Sequence, residues 1–141
     1  MNKKVWVGWG AAFVTLAVLD AIVNMGLLTE DYKATAQLWR PEGEMKVWLF
    51  YVVYAIQTFF LSLVFSKGYE GKGVAEGARY GLYMGLLLAT PMAYGSYAAM
   101  PITYSLALKW FLFGTVEYIV VGIVLAMVYG KQATVTPVTT S

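Results

Sequence analysis

The sequence contains no cysteine and no histidine. Disulfides, thiol chemistry and the Cys/His sites that hold zinc are therefore excluded. Haem or chlorophyll held by imidazole is excluded as well, and so is a Ser-His-Asp catalytic triad. Because no other nucleophile–base pair stands out, we expect a protein that is not an enzyme and that binds no metal and no cofactor.

Charged residues are also scarce, at 13% of the chain, whereas about 25% is usual in soluble domains. The net charge of +2 is too small to indicate nucleic-acid binding or strong electrostatic steering. Hydrophobic residues, by contrast, make up 60% of the 141 residues. A chain of this length folded in water buries only about two thirds of the surface that it exposes when unfolded. This composition therefore predicts a membrane protein.

Four long apolar stretches dominate the chain, and each comes near the length of about 20 residues that a helix needs to cross a bilayer. We predict an all-α integral membrane four-helix bundle, with a single transmembrane domain over residues 1–130 and a polar tail over residues 131–141. The first span carries Asp20 where a signal peptide would need small residues, so we expect it to stay uncleaved. The predicted spans are Val5–Leu28, Val47–Phe65, Glu76–Tyr97 and Leu106–Val128.

The connection between the first two spans has an amphipathic pattern. Thr29 and the two acids after it are typical of a helix start, where a hydroxyl caps the free N–H groups and acids favour the positive end of the dipole. Tyr32, Ala36 and Trp39 then share one helical face. We predict a short interfacial helix from Glu30 to Trp39 that lies on the membrane surface, with a solvated loop as the alternative.

The orientation follows from the Lys and Arg residues near the span ends. One predicted side collects Lys3, Lys4, Lys67, Lys72, Arg79 and Lys131, and the other has Lys33, Arg40, Lys46 and Lys109. This bias predicts a multi-pass protein of the cell membrane with both termini in the cytoplasm. Tryptophans at both boundaries are typical of interface anchors. The predicted anchors are Trp6, Trp9, Trp39, Trp48 and Trp110.

Small residues recur at every fourth position of the third span, and a matching GxxxG-like stripe follows in the fourth. Such stripes let two helix backbones approach closely in lipid. We predict that the third and fourth spans pack against each other, the alternative being that one stripe faces another subunit. The predicted packing residues are Gly73, Gly77, Gly81, Gly85, Gly114, Gly122 and Ala126.

Six polar side chains lie within or beside the spans: Asp20, Asn24, Gln57, Arg79, Lys109 and Glu117. A charge at the centre of a membrane helix costs about 2.5–3.5 kcal/mol on insertion scales, so each should face protein or water. A structural interpretation pairs Asp20 with Lys109, and Glu117 with Arg79 or a tyrosine hydroxyl. A functional interpretation makes Asp20, Gln57 and Glu117 a relay for protons or cations. A site for a lipid or a partner is a third possibility.

The stretch GLLTEDYKATAQLWRPEGEM, from Gly26 to Met45, looks like the first loop of small bacterial four-span membrane proteins of unknown function. The glycine-striped third span, the proline in the next turn and the Trp that opens the fourth span are also similar to that family. The resemblance implies a four-span protein of the bacterial inner membrane and no particular activity. Small multidrug exporters also combine four spans with a membrane carboxylate, but Asp20 lies late in its span and lacks their surrounding run of small residues.

Two functions follow as predictions. The first is a non-catalytic accessory or assembly subunit of a larger membrane complex, whose partners are the lipid bilayer and other membrane subunits or copies of itself, with no nucleic acid. The alternative is a small oligomeric proton- or cation-coupled transporter or channel. That alternative requires Asp20 and Glu117 to line a wet path across the membrane.

Overall fold

A computed structural model describes residues 3–130, and this part of the chain contains helices and no strands. A π-helical turn, Val23–Leu27, extends the first helix, and 3-10 turns cover Ala36–Leu38 and Glu42–Glu44. The predicted polar tail lies outside the described residues. The α-helices are α1 (Lys3–Ile22), α2 (Thr29–Ala34), α3 (Val47–Gly68), α4 (Val74–Ala99) and α5 (Tyr104–Tyr129).

Three of the described helices are long and apolar enough to cross a membrane: Lys3–Leu27, Val47–Gly68 and Tyr104–Tyr129. The prediction of apolar, membrane-length helices is thus confirmed for these three stretches. The third predicted span forms α4, which has 26 residues but is less apolar, since it carries four glycines and four tyrosines. Its crossing of the membrane stays a prediction.

The closest helix contact in the described chain is between α4 and α5. Gly77, Gly81 and Gly85 of α4 are buried against α5. A Cβ on Gly81 would overlap the carbonyl oxygen of Tyr118, and one on Gly77 would overlap that of Gly122. The two backbones are therefore as close as helices without side chains allow, and they run antiparallel.

The remaining residues of the predicted packing set take different positions. Gly122 and Ala126 are buried in the same α4–α5 contact. A Cβ on Gly114 would lie 3.3 Å from the Cβ of Ala89. Gly73 instead precedes α4 and has a φ of 91°, a conformation that residues with side chains rarely adopt. Backbone conformation therefore gives a separate reason for the glycine there, and the predicted helix contact at Gly73 stays a prediction.

Helix α1 packs against both α3 and α5. Apolar side chains fill the space between these helices near the end where α5 finishes, and the Ser62 hydroxyl donates to the carbonyl oxygen of Val5 at 2.9 Å. The buried residues of this first core are Ala12, Leu16, Leu61, Phe65, Val121, Leu125, Ala126 and Tyr129. Packing among these residues fixes the spacing of α1, α3 and α5 at this end of the bundle.

A second core closes the opposite end of the bundle, which we call the α2 end. Its buried residues are Leu28, Ile102, Leu106 and Ala107. The helix predicted from Glu30 to Trp39 is observed as the shorter α-helix α2 followed by a 3-10 turn. Its position on the membrane surface stays a prediction. Thr29 does not cap it, because the π turn runs straight into α2 and the Thr29 hydroxyl donates back to Met25 at 2.7 Å.

Candidate functional site

Two acids from different membrane-length helices face each other inside the bundle. Asp20 lies on α1 and Glu117 on α5, and their carboxyl groups are close enough to interact directly. Glu117 is only 6% exposed, and its Oε1 atom is buried with no hydrogen-bond partner among the described residues. Since ionised carboxylates only accept hydrogen bonds, two of them in contact need a proton or a cation between them.

Polar groups from α3 and α5 complete this site. The Tyr54 hydroxyl donates to Oδ2 of Asp20, and the Gln57 side-chain amide donates to the hydroxyl of Tyr118. Tyr54 and Gln57 are three residues apart, so they share one face of α3. We call the five residues Asp20, Tyr54, Gln57, Glu117 and Tyr118 the carboxyl cluster.

The carboxyl cluster lies between the two apolar cores. Asp20 of α1 falls between Leu16 of the first core and Leu28 of the second, which follows the π turn. Along α5, Glu117 falls between Ala107 and Val121 in the same way. Packed apolar residues therefore lie on both sides of the cluster along the bundle. Within it Glu117 is buried and the other four residues are half-buried, and the lower local dielectric around Glu117 strengthens its charge interactions.

The structure contradicts the predicted pairing of Asp20 with Lys109. Nζ of Lys109 lies 2.8 Å from Oδ2 of Asp31, because α2 folds back over the start of α5. Lys109 is two turns of α5 away from Glu117, which is about 12 Å along the helix axis. The cation predicted to neutralise Asp20 is thus paired with a residue of α2 instead.

The predicted pairing of Glu117 with Arg79 is also wrong. Arg79 is exposed and lines a groove of about 360 Å³ between α3 and α4, together with Glu70 and Glu76. Its position two residues from both Gly77 and Gly81 places it on the face of α4 that points away from α5. No ion pair joins Arg79 to Glu117 in the part of the chain that the structure describes.

Asn24 links the carboxyl cluster to the α2 end. The π turn places its side chain so that Nδ2 donates to the carbonyl oxygen of Asp20 at 2.8 Å, and its Oδ1 accepts from the Tyr32 hydroxyl. Tyr32 in turn accepts from Nε1 of Trp110 at 2.9 Å. Burial raises the pKa of Tyr32 to about 12, and the nearby carboxyls of Asp20 and Glu117 add to the increase.

Three of the predicted tryptophan anchors use their ring N–H inside the protein. Trp9 donates to the carbonyl oxygen of Ala55 at 2.8 Å, and Trp39 donates to the Thr35 hydroxyl at 2.9 Å. Trp110 binds Tyr32 as described above. Trp6 and Trp48 are 48% and 64% exposed. Anchoring at the membrane boundary stays a prediction for all five, and for Trp9 the contact with α3 is an additional role.

Sequence reasoning missed Tyr54, Tyr118 and Asp31 as members of the polar network. The one-turn spacing of Tyr54 and Gln57 is a signal that would have placed Tyr54 beside a polar neighbour. Asp31 carries no such signal, because its partner Lys109 is 78 residues away and the fold alone brings them together.

The arrangement can hold a proton or a small cation between the two acids. The Tyr54 hydroxyl orients Asp20 by a hydrogen bond, and Gln57 holds the neighbouring Tyr118 in the same way. Comparison with protein-family models, curated proteins and solved structures gave no match to this chain.

Proposed function

We propose that this chain is an integral protein of the cell membrane that binds and releases a proton at the Asp20–Glu117 pair, as part of a small oligomeric proton-coupled transporter or channel. The observation that carries the proposal is the buried Oε1 of Glu117, which has no donor among the described residues and faces a second acid. Two carboxylates in contact repel each other, and a shared proton removes that repulsion.

The α4–α5 contact supports a four-span arrangement for this protein. Gly77 lies against Gly122, and Gly85 lies 3.0 Å, measured from an ideal Cβ, from Cα of Thr115. Helix α4 therefore accompanies α5 through most of its length, so a crossing of α5 carries α4 across as well. Lys4 donates to the carbonyl oxygen of Tyr129 at 2.7 Å, which supports having both termini on one side of the membrane.

Proton transport in reconstituted vesicles tests this function. Wild-type protein under an imposed pH gradient is expected to acidify vesicles that contain a pH-sensitive dye, and Glu117→Gln and Asp20→Asn are each expected to abolish the signal. Both substitutions keep side-chain shape and remove the exchangeable carboxyl proton. Glu30→Gln is the matched control, since Glu30 lies exposed on α2 and its loss should leave transport unchanged.

Infrared difference spectroscopy supplies a direct reading of the bound proton. The carbonyl stretch of a protonated carboxylic acid is expected in wild-type protein at neutral pH and is expected to vanish in Glu117→Gln. Transport that survives in both acid variants, together with an unchanged carbonyl stretch, would remove the pair from the function.

A second candidate function is that of an accessory or assembly subunit of a larger membrane complex, and one observation favours it. All seven residues from Val47 to Val53 are exposed, so the first two turns of α3 present an uncovered apolar surface. Lipid tails cover such a surface in a self-contained protein, whereas a neighbouring subunit covers it in a complex. The mass of the intact particle separates these cases and is treated in the Discussion.

A further inference from the structure

Helix α2 is fastened to the start of α5 by a partly buried ion pair. Asp31 is 12% exposed and Lys109 is 41% exposed, with 2.8 Å between their charged atoms. The same helix carries a second ion pair, Lys33–Glu30, at 4.0 Å and with 72% and 91% exposure. Exposed pairs contribute little energy, whereas a pair with one desolvated partner holds its elements more firmly.

The residue beside Asp31 fills the space between α2, α5 and the π turn. The Tyr32 ring packs edge-on against Trp39 at 5.5 Å and lies 6.4 Å from Trp110, measured between ring centroids. Its hydroxyl accepts from Trp110 and donates to Asn24, which lies one turn from Asp20. The ring therefore lies at the α2 end of the bundle, between Trp110 of α5 and the Asn24 side chain that is bonded to Asp20.

The two ends of the bundle differ in how they are closed. At the end opposite α2, the first core belongs to α1, α3 and α5 themselves, so opening it would require three long helices to separate. At the α2 end, the covering element is six residues long and follows a π-helical turn. Turns of this kind often occur at functional sites, where their irregular hydrogen bonds allow a local change of helix geometry.

We propose that α2 is a gate over the carboxyl cluster, held closed by the Asp31–Lys109 ion pair and plugged by Tyr32, so that water and protons reach the cluster from the α2 end. The gate rests on the proton-binding function proposed above and names its side of access. When the ion pair separates, Tyr32 leaves its two hydrogen-bond partners and the path to Asp20 opens beside Asn24.

Thiol labelling tests the gate, because the natural chain contains no cysteine and a single introduced thiol reports alone. Val23→Cys places a thiol under α2, one turn from Asp20, where Val23 packs on the second core. A membrane-impermeant maleimide is expected to label it on the order of tenfold faster in the Asp31→Asn background, a factor that corresponds to about 1.4 kcal/mol of lost closure energy.

Two controls separate gate opening from general loosening. Glu30→Gln removes the same charge from the same helix at the exposed pair and should leave the Val23→Cys labelling rate unchanged. A Gly26→Cys reporter has no heavy atom within 4 Å of its ideal Cβ, so its labelling rate should be the same in all backgrounds. The exchanged pair, Asp31→Lys with Lys109→Asp, should restore slow labelling of Val23→Cys.

Equal labelling of Val23→Cys in the Asp31→Asn and Glu30→Gln backgrounds would overturn the gate, and so would an exchanged pair that stays fast. The labelling does not depend on proton movement, since it is also measured with Glu117→Gln present. A chain whose labelling responds as expected but which moves no protons would retain the gate and lose the proposed function. A chain that moves protons but whose Val23→Cys labelling does not respond to Asp31→Asn would retain the proposed function and lose the gate.

Discussion

Gly81 lies where the backbones of α4 and α5 approach closely, and this leaves it no room for a side chain. Replacement by isoleucine places a branched side chain against the Tyr118 carbonyl oxygen and the Cα of Ile119. Inserting side-chain atoms into a packed interior typically costs about 1–3 kcal/mol. We expect Gly81→Ile to lower the midpoint of thermal unfolding in detergent and the yield of folded protein.

The matched control for this substitution lies on the same helix. Gly95 is within α4, and a Cβ added there meets no heavy atom within 4 Å. Gly95→Ile has the same change in helix propensity and hydrophobicity and should unfold near the wild-type temperature. If the two variants unfolded at the same temperature, close packing at Gly81 would have no part in stability.

Single polar residues were identifiable from the sequence, but their partners were not. Asp20, Gln57 and Glu117 stand out because a polar group inside an apolar span is costly in any arrangement of helices. The pairing of Asp20 with Lys109 was inferred from their shared depth in the membrane. Depth does not specify which helix face a residue occupies, and Asp31 on α2 lies closer to Lys109 in the fold.

Among the elements, the long helices were predictable and the irregular segment between α1 and α3 was only partly so. Apolar runs of sufficient length determine α1, α3 and α5, because lipid requires every backbone group to be bonded within the helix. The π turn at Val23–Leu27 has no composition that separates it from α-helix. Its effect on the start of α2, where Thr29 bonds backward, could therefore not be foreseen.

The placement of α4 relative to the membrane needs a direct test, because its composition alone does not identify it as a span. In the four-span arrangement proposed above, α4 crosses the membrane beside α5, which puts its two ends on opposite sides. We expect Gly68→Cys, at the end of α3, and Ser105→Cys, in the first turn of α5, to react with an impermeant maleimide from opposite faces of the membrane. The measurement compares the labelling of each variant in intact cells with its labelling in inverted membrane vesicles.

Gly26→Cys serves as the reference for that experiment, because it follows α1 and should share its side with Ser105→Cys. All three positions are exposed or open in the fold, so labelling reports on sidedness rather than on burial. Labelling of Gly68→Cys and Ser105→Cys from the same side would place α4 along the membrane surface and would contradict the four-span arrangement.

In the whole molecule, one helix contact was predictable and the others were not. The small-residue stripes specify that α4 meets α5, since only residues without bulk allow such an approach. Helices α1 and α3 are apolar on nearly all sides, and an apolar face is equally stable against lipid or against another helix. Their contacts are selected instead by individual hydrogen bonds between helices, such as those that the Tyr54 and Ser62 hydroxyls donate to α1.

The exposed start of α3 makes the composition of the native particle the deciding measurement for the whole molecule. A proton-coupled transporter of this size is expected to assemble from copies of itself, because the described helices leave the Val47–Val53 surface exposed. Extraction from native membranes in mild detergent, followed by mass measurement of the intact particle, should give a whole multiple of the 15.6 kDa chain with bound lipid. Crosslinking between Leu49→Cys residues of neighbouring copies should then trap that oligomer. Gly10→Cys is the control: it lies on α1, outside the Val47–Val53 surface, and has free space around its Cβ, so it should not crosslink. A particle that contains other polypeptides in fixed ratio would contradict self-assembly and would make the accessory-subunit function the better account of the same exposed surface.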